Sequence, residues 1–255
     1  MSSTRDKTVL VTGASSGIGL ATARRLAGRG YHVVAAARRK DRLTALAGEF
    51  ADRIHALELD VRDHAAVSAA VDGLPSKFAG IDVLVNNAGL GRGGGLVQEG
   101  QFEDWMEMVD TNIKGFLSVL HAVLPGMAAR KRGHIVNMSS IAATQAYPGS
   151  NVYGATKGFE HVLSKNLRTD LAGSGIRVTD IQPGAVATEF TRVRLGGDDA
   201  HGTSVYQGYR PLTGEDIAEV VEFVIGVPDH VNISSIEVMP TDQAAAGFIM
   251  GGPKD

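Results

Sequence analysis

Residues 8–19 read Thr-Val-Leu-Val-Thr-Gly-Ala-Ser-Ser-Gly-Ile-Gly, a β-branched apolar run that ends in three closely spaced glycines. Thr8–Thr12 predicts a strand, and the helical spacing of apolar residues in Gly17–Arg29 predicts a helix directly after it. Glycines at such a junction allow a sharp turn and let backbone N–H groups approach a diphosphate, while the helix N-terminus adds partial positive charge. The sequence therefore predicts a nucleotide site at this turn, formed by Gly13, Ser15, Ser16, Gly17, Ile18 and Gly19.

Short apolar runs alternate with segments of helical period along the rest of the chain. Further strands are predicted at His32–Ala37, Ile54–Leu59, Val83–Val85, His134–Met138, Arg177–Ile181 and Ser234–Val238. Further helices are predicted at Arg39–Phe50, His64–Val71, Phe102–Val109, Gly115–Arg130, Val152–Leu171 and Gly214–Val227. Continuous apolar strands are typical of parallel sheets that helices cover on both faces. We therefore predict an α/β fold, a Rossmann-like doubly wound parallel sheet, with residues 1–255 as a single nucleotide-binding domain and residues 187–210 as a long loop of the kind that forms a lid or binding segment.

The composition excludes several other classes of protein. The chain has 255 residues, of which 44% are hydrophobic, and 28 acidic residues against 25 basic ones leave a net charge of −3. That balance excludes a disordered chain and disfavours a nucleic-acid binder that depends on phosphate contacts. There is no cysteine, and the eight histidines lack any metal-ligand spacing, so we expect no metal. With neither a long apolar span nor a signal peptide in the sequence, we expect a cytoplasmic protein without a membrane partner.

The end of the second predicted strand bears on the choice of dinucleotide. In NAD-binding units an acidic residue at this place holds the ribose hydroxyls. Here the strand ends at Ala37, and Arg38, Arg39, Lys40 and Arg42 follow. Because guanidinium groups bind a phosphate through paired, charge-assisted hydrogen bonds, this pattern favours NADP, with Arg38 as the main contact to the 2′-phosphate. Arg39 and Arg42 are the alternatives.

A tyrosine and a lysine stand four residues apart on a predicted helix, and so on one face of it. These are Tyr153 and Lys157. A neighbouring cation favours the phenolate, so such a tyrosine could exchange a proton with a carbonyl or hydroxyl oxygen. Ser139-Ser140 ends one predicted strand and Asn86-Asn87-Ala88-Gly89 follows another, at the sheet edge where open α/β sheets bind ligands.

These motifs together resemble the short-chain dehydrogenase/reductase family over nearly the whole chain. The resemblance implies that Tyr153 is the general acid/base, that Ser140 orients the substrate oxygen, and that Lys157 binds the nicotinamide ribose and lowers the tyrosine pKa. Asn112 would hold a water that connects the lysine to solvent. The resemblance also implies cofactor contacts from Asp60, Val61, Asn86, Ala88, Gly89, Pro183, Gly184, Val186 and Thr188.

The C-terminal third resembles a narrower group, the bacterial NADP-dependent 3-hydroxy acid dehydrogenases. The matching stretches include 151–157, 166–171, 188–190, 193–194 and 197–199. This resemblance implies a homotetramer that interconverts a small, serine-like 3-hydroxy acid and its oxo acid or semialdehyde. We expect Arg194 to bind the substrate carboxylate, with Arg192, Arg210 and Arg92 as alternatives. The glycine-rich stretch 91–95 departs from the pattern of this group and is expected to lie near the substrate pocket.

Two other functions remain compatible with the sequence. One is another carbonyl reductase of the same family, of the 3-oxoacyl-carrier-protein reductase type. The other is a regulator that senses NADP without turning it over, since this fold can bind a dinucleotide without catalysis. The Ser140, Tyr153 and Lys157 set argues against the regulator, because a sensor does not need a proton-transfer group.

Overall fold

Seven parallel strands form the central sheet of the computed structural model, which describes residues 7–194, 196 and 206–244. Their order across the sheet is β3-β2-β1-β4-β5-β6-β7. The strands are β1 (Thr8–Thr12), β2 (His32–Ala37), β3 (Ile54–Glu58), β4 (Val83–Asn86), β5 (Gly133–Met138), β6 (Ile176–Pro183) and β7 (Ser235–Val238). The order reverses between β1 and β4, which is the place where open α/β sheets bind their ligands.

Helices cover both faces of this sheet. They are α1 (Gly17–Gly28), α2 (Lys40–Glu49), α3 (His64–Asp72), α4 (Phe102–Met108), α5 (Phe116–Arg130), α6 (Asn151–Asp170), α7 (Glu189–Arg194) and α8 (Gly214–Gly226). The helices α1, α2 and α8 pack on one face through residues such as Leu26, Leu43 and Ile217. The helices α3, α5 and α6 pack on the other, where Val67 and Phe116 lie in the core. Burial of both faces explains why the strands are apolar without alternation.

The predicted fold class and the predicted order of strands and helices are confirmed, and the structure adds two local features. Residues Val109–Gly115 form a π-helical segment between α4 and α5, a distortion that proteins often place at functional sites. The short helix α7 lies inside the segment 187–210, which the sequence predicts as an irregular loop. Part of that loop, including Gly197-Asp198-Asp199, lies outside the described residues. Within the described part of the chain, no helix combines the length and apolar character needed to span a membrane.

Candidate active site

A cleft of about 890 Å³ opens at the carboxyl ends of the central strands. Most of the residues that the sequence predicts for the site line this cleft. They are Gly13, Ser15, Ser16, Gly17, Ile18, Arg38, Arg39, Asp60, Val61, Ala88, Gly89, Ser140, Tyr153, Lys157, Pro183, Gly184, Val186, Thr188 and Arg194. Gly19, Asn86 and Asn112 lie behind its wall, and the latter two are buried and hydrogen-bonded to backbone groups.

The glycine turn between β1 and α1 leaves no room for side chains. Gly13 and Gly17 adopt positive φ angles of 69° and 52°, a region that favours glycine. A Cβ on Gly13 would lie 2.8 Å from the Asn87 side-chain nitrogen, and one on Gly19 would collide with the Gly13 carbonyl oxygen. Without side chains at this turn, the backbone N–H groups can approach a phosphate closely.

A positively charged pocket lies beside this turn, and Arg39 is at its centre. The guanidinium of Arg39 donates to the hydroxyl oxygens of Ser15 (3.0 Å) and Ser16 (2.7 Å). Arg39 and Arg42 also hold the two carboxylate oxygens of Glu189 at 2.9 and 2.8 Å. Burial opposes the ionisation of Glu189, but the hydrogen bonds and charges of these two arginines together outweigh it and lower its pKa. The pocket is thus built to hold an anion.

Arg38, the residue that the sequence favours for the 2′-phosphate, lines the cleft with an exposed side chain. In the described structure Arg38 donates no hydrogen bond within the pocket around Arg39. Its positive charge acts over a longer distance and contributes to the lowered pKa of Asp60. The larger cause of that lowered pKa is Arg62, which pairs with Asp60 at 2.6 Å. The strand β2 ends at Ala37, which lines the cleft, so no carboxylate stands at this position.

The catalytic candidates meet where β5 ends and α6 begins. Tyr153 is 7% exposed, and burial raises its pKa above the usual value. The charge of Lys157 and a hydrogen bond from Ser140 act in the opposite direction. Ser139, the other serine of the pair, points away and donates to Asp180 at 2.5 Å. The structure therefore places Ser140, and not Ser139, against the tyrosine.

Lys157 reaches toward the cleft from the same helix and has a carboxylate beside it. Its Nζ donates to the Met138 carbonyl oxygen at 2.9 Å and to both carboxylate oxygens of Glu160 at 3.0 and 2.9 Å. Burial alone would lower the pKa of Lys157, but the charges of Glu160, Tyr153 and Asp180 and the hydrogen bond to Glu160 together outweigh it and raise the pKa. Burial also raises the pKa of Glu160 to about 7.

Asn112 lies in the π-helical segment and anchors the loop that follows β4. Its Nδ2 donates to the Leu90 carbonyl oxygen (2.8 Å) and to the Thr156 hydroxyl (3.0 Å), and its Oδ1 accepts from the Leu90 N–H at 2.9 Å. The side chain thus links this loop to α6, directly beside Lys157. In the described structure it braces the site.

Arg194 extends from α7 across the other end of the cleft. Its guanidinium lies 5.1 Å from the centre of the Tyr153 ring and donates to the Tyr147 hydroxyl at 3.1 Å. Further hydrogen bonds go to the carbonyl oxygens of Gly93 (3.0 Å) and Gly149 (2.6 Å). The glycine-rich stretch 91–95 therefore helps to position Arg194.

The alternative arginines have other surroundings. Arg92 lines the cleft but pairs with Glu107 at 2.7 Å. Arg192 lies 3.7 Å from Glu189, and the backbone N–H of Arg210 binds Asp242. Neither Arg192 nor Arg210 lines the cleft, as far as the described residues define it. Among these arginines, Arg194 is the one that contacts Tyr153.

Four residues of the site carried no specific prediction from the sequence: Asn87, Tyr147, Glu160 and Glu189. Asn87 stands inside a quoted motif, and its Nδ2 donates to the Thr12 carbonyl oxygen at 2.9 Å. Glu160 lies on a helix where a charged residue ordinarily faces solvent, so no sequence pattern indicates its burial. No group of three or more potential metal ligands occurs in the part of the chain that the structure describes.

Comparison with known proteins places this chain in a family. A model described as short chain dehydrogenase matches residues 7–196. The chain is 49% identical over 241 residues to an NADP-dependent 3-hydroxy acid dehydrogenase of Salmonella typhi, covering 94% of this chain and 97% of that protein. It is 48% identical over 243 residues to sulfoacetaldehyde reductase 2 of Chromohalobacter salexigens, covering 94% and 96%.

A solved structure described as the closed form of serine dehydrogenase complexed with NADP⁺ superposes with a TM-score of 0.92. It is 46% identical and covers 96% of this chain and 100% of its own. The predicted family resemblance is confirmed by these matches together with the parallel sheet and its cleft. The chain belongs to the short-chain dehydrogenase/reductase family.

Proposed function

We propose that this protein is an NADP-dependent oxidoreductase that interconverts a small, serine-like 3-hydroxy acid and its oxo acid or semialdehyde. The observation that carries the proposal is the pairing of Tyr153 with the guanidinium of Arg194 in a cleft that Arg39 also lines, with Arg42 beside it on Glu189. Such a cleft offers a proton-transfer group, a site for a small anionic substrate and a site for a phosphate. The names of the relatives with 46–49% identity support the same assignment.

The residues of the cleft fit NADP. The glycine turn at Gly13–Gly19 would hold the diphosphate against bare backbone, and Arg39, with Ser15 and Ser16, would hold the 2′-phosphate. Arg38, Arg42 and the adenine-side residues Asp60 and Val61 would complete that end. Ala88, Gly89, Pro183, Gly184, Val186 and Thr188 also line the cleft and would contact the nicotinamide half. When bound, the nicotinamide supplies or accepts a hydride at the substrate carbon.

The side chains near Tyr153 handle the proton and orient the substrate. Tyr153 donates a proton from its hydroxyl to the substrate oxygen during reduction, and removes it during oxidation. Ser140 donates a hydrogen bond at the same oxygen, which fixes its position and polarises the carbonyl. The ammonium of Lys157 stabilises the phenolate, because a nearby cation favours the ionised form of an acid.

Arg194 gives the site its selectivity for an acid. A guanidinium has five N–H donors, and three of its hydrogen bonds in this structure go to protein groups, which leaves donors for a substrate carboxylate. A sulfonate has related geometry and charge, and one relative is named for sulfoacetaldehyde. A carboxylate remains our first proposal, because two of the three compared proteins are named for hydroxy acids.

The chain is further proposed to act as a homotetramer in the cytoplasm. Exposed apolar side chains on two helices of one face support self-association, since Leu117 on α5 is 39% exposed and Val162 on α6 is 53% exposed. Segment 187–210, which includes α7, is proposed as the substrate loop.

A substrate panel tests the proposal. Purified protein is assayed with serine, 3-hydroxyisobutyrate, 2-hydroxyethanesulfonate and a 3-hydroxyacyl thioester, each with NADP⁺ and with NAD⁺. We expect turnover of the small acids with a strong preference for NADP⁺. Activity on the thioester alone would assign the protein to the acyl reductases, and NADP binding with no turnover of any substrate would favour a cofactor sensor.

A further inference from the structure

The ammonium of Lys157 has no free donor in this structure. A protonated lysine has three N–H donors and no acceptor. Its three neighbours within hydrogen-bonding distance are the Met138 carbonyl oxygen and the two carboxylate oxygens of Glu160, at 2.9, 3.0 and 2.9 Å. Any ribose hydroxyl that binds Lys157 must therefore displace one of these partners.

Glu160 is the partner that can yield. It is 1% exposed, and its carboxylate is paired with Lys157 three residues earlier on α6. The Met138 carbonyl, by contrast, is fixed at the end of β5. A buried carboxylate can give up a cation without remaining charged, because it can take up a proton instead.

We propose that Glu160 is a positioning residue that competes with the nicotinamide ribose for Lys157, so that cofactor binding is coupled to protonation of Glu160. This inference rests on the proposed binding of NADP in the cleft. With Glu160 ionised, Lys157 is held on its own helix. With Glu160 protonated, the ammonium turns its donors to the ribose and its charge to Tyr153.

The charged groups around Glu160 set the direction of the pH dependence. Burial raises its pKa to about 7, Lys157 opposes this, and Asp180 on β6 adds to it. Asp180 is itself held by Ser139 and by His161 (2.6 Å), so its charge has partners of its own. Withdrawal of Lys157 to the ribose removes a cation from Glu160 and raises its pKa further. The complex therefore binds more protons than the free protein, and NADPH affinity must fall as the pH rises through about 7.

The test is an NADPH fluorescence titration between about pH 6.5 and pH 8, with wild type, Glu160→Gln and Asp170→Asn compared. Asp170 is an exposed carboxylate on the same helix, so its amide variant removes one charge without touching Lys157. The second ionisation of a phosphate lies near pH 6 and is common to all three proteins, so it cancels in the comparison. If only the protein with protonated Glu160 binds NADPH, the affinity of the wild type for NADPH should fall by about threefold to tenfold over this range.

The variants separate the possible outcomes. We expect Glu160→Gln to lose this pH dependence and to bind NADPH more tightly than wild type at about pH 8, and Asp170→Asn to behave as wild type. In serine oxidation, the part of the rate-against-pH profile that follows the ionisation of Tyr153 should shift to lower pH in Glu160→Gln. The reason is that the charge of Glu160 raises the Tyr153 pKa. The inference is overturned if Glu160→Gln keeps the wild-type dependence of NADPH affinity on pH. It is also overturned if the Tyr153 part of the rate profile shifts to higher pH. Absence of NADPH binding in every protein would instead overturn the proposed function.

A measurement on the wild type covers the case in which Glu160→Gln does not fold. Calorimetry of NADPH binding at about pH 7.5, in two buffers of different ionisation enthalpy, counts the protons exchanged. At this pH the phosphate is already ionised, so its contribution is small. Net uptake of a fraction of a proton supports the inference, and zero exchange or net release overturns it.

Discussion

Tyr153 lies in surroundings that oppose its ionisation, and this determines which of its neighbours matter. Burial raises its pKa, and Tyr147 and Glu160 add to the shift. Lys157 and Ser140 lower it. Since a general base works best when its pKa is near the working pH, the tyrosine depends on these two neighbours in the complete site.

Replacement of the hydroxyl is the direct test of this residue. Tyr153→Phe keeps the ring that packs against Phe190, so the fold and the cofactor cleft should persist. Because general acid–base groups contribute about 10²–10⁴-fold to rate, we expect kcat for serine oxidation to fall by about that factor. NADPH affinity, measured by fluorescence, should stay within about twofold. A variant with nearly wild-type turnover would remove Tyr153 from the proton-transfer role.

A second residue-scale prediction concerns the substrate carboxylate. Arg194→Lys keeps the charge but loses the planar fork that can bind two oxygens at once. A charge-assisted contact of this kind is worth roughly 1.5–3 kcal/mol, or about 10- to 150-fold in affinity. We therefore expect KM for serine to rise by about that range, with KM for NADP⁺ nearly unchanged.

The control for Arg194→Lys is a small neutral aldehyde without a carboxylate. Its reduction should hardly respond to the substitution, because the lost contact is specific to the acid. Equal losses on the acid and on the neutral aldehyde would mean that Arg194 acts by tying α7 to Gly93 and Gly149. The carboxylate site would then have to be sought elsewhere, with Arg92 the remaining cleft-lining arginine among the alternatives.

At the scale of elements, Glu189 joins the short helix α7 to the junction between β2 and α2. Its carboxylate occupies Arg39 and Arg42, where the proposed 2′-phosphate would bind. A bound phosphate and this carboxylate therefore compete for the same donors. We therefore expect cofactor binding to affect the contacts of α7.

Glu189→Gln should consequently bind NADPH more tightly. The ion pairs are partly exposed, with side-chain exposures of 41% for Arg39 and 31% for Glu189, so solvent weakens them. At up to about 1 kcal/mol for such pairs, the gain should be about twofold to fivefold in a fluorescence titration. NADH, which has no 2′-phosphate, should bind with unchanged affinity, as should NADPH to the exposed-site variant Glu103→Gln. Weaker NADPH binding would show that Glu189 mainly holds α7 in place.

The alternation of elements was predictable from the sequence, while several contacts were not. Apolar runs such as Val83–Val85 identify strands, because a strand that is buried on both faces has apolar residues without alternation. The glycine turn is recognisable because its glycines must stand at fixed positions close together in the sequence. The π-helical segment at Val109–Gly115 and the helix α7 depend on contacts between distant segments, which no local pattern encodes. The ion pair of Glu160 with Lys157 has ordinary helical spacing, and only tertiary packing makes it buried.

At the scale of the whole molecule, a closed tetramer with two-fold axes requires more than one kind of interface. One candidate surface is the outer side of α5 and α6, which exposes Leu117 and Val162. A second includes the edge strand β7 and the helix α8 on the other face of the sheet, where Phe223 is 60% exposed. Unpaired strand edges and exposed large apolar side chains are both features that association covers.

Charge placed on each surface tests this arrangement. A carboxylate buried in an apolar interface is strongly unfavourable. We therefore expect Val162→Glu and Phe223→Glu each to reduce the assembly from four chains of 26.7 kDa to two, and the double variant to reduce it to one. Light scattering after gel filtration measures these masses. Ser76→Glu, in the exposed turn that follows α3, should leave the mass unchanged. Because Tyr153, Lys157 and Arg194 all come from a single chain, the dimers should still bind NADPH. A mass unaffected by either substitution would place the contacts between chains on other surfaces, and a wild type that runs as a monomer would overturn the proposed tetramer itself.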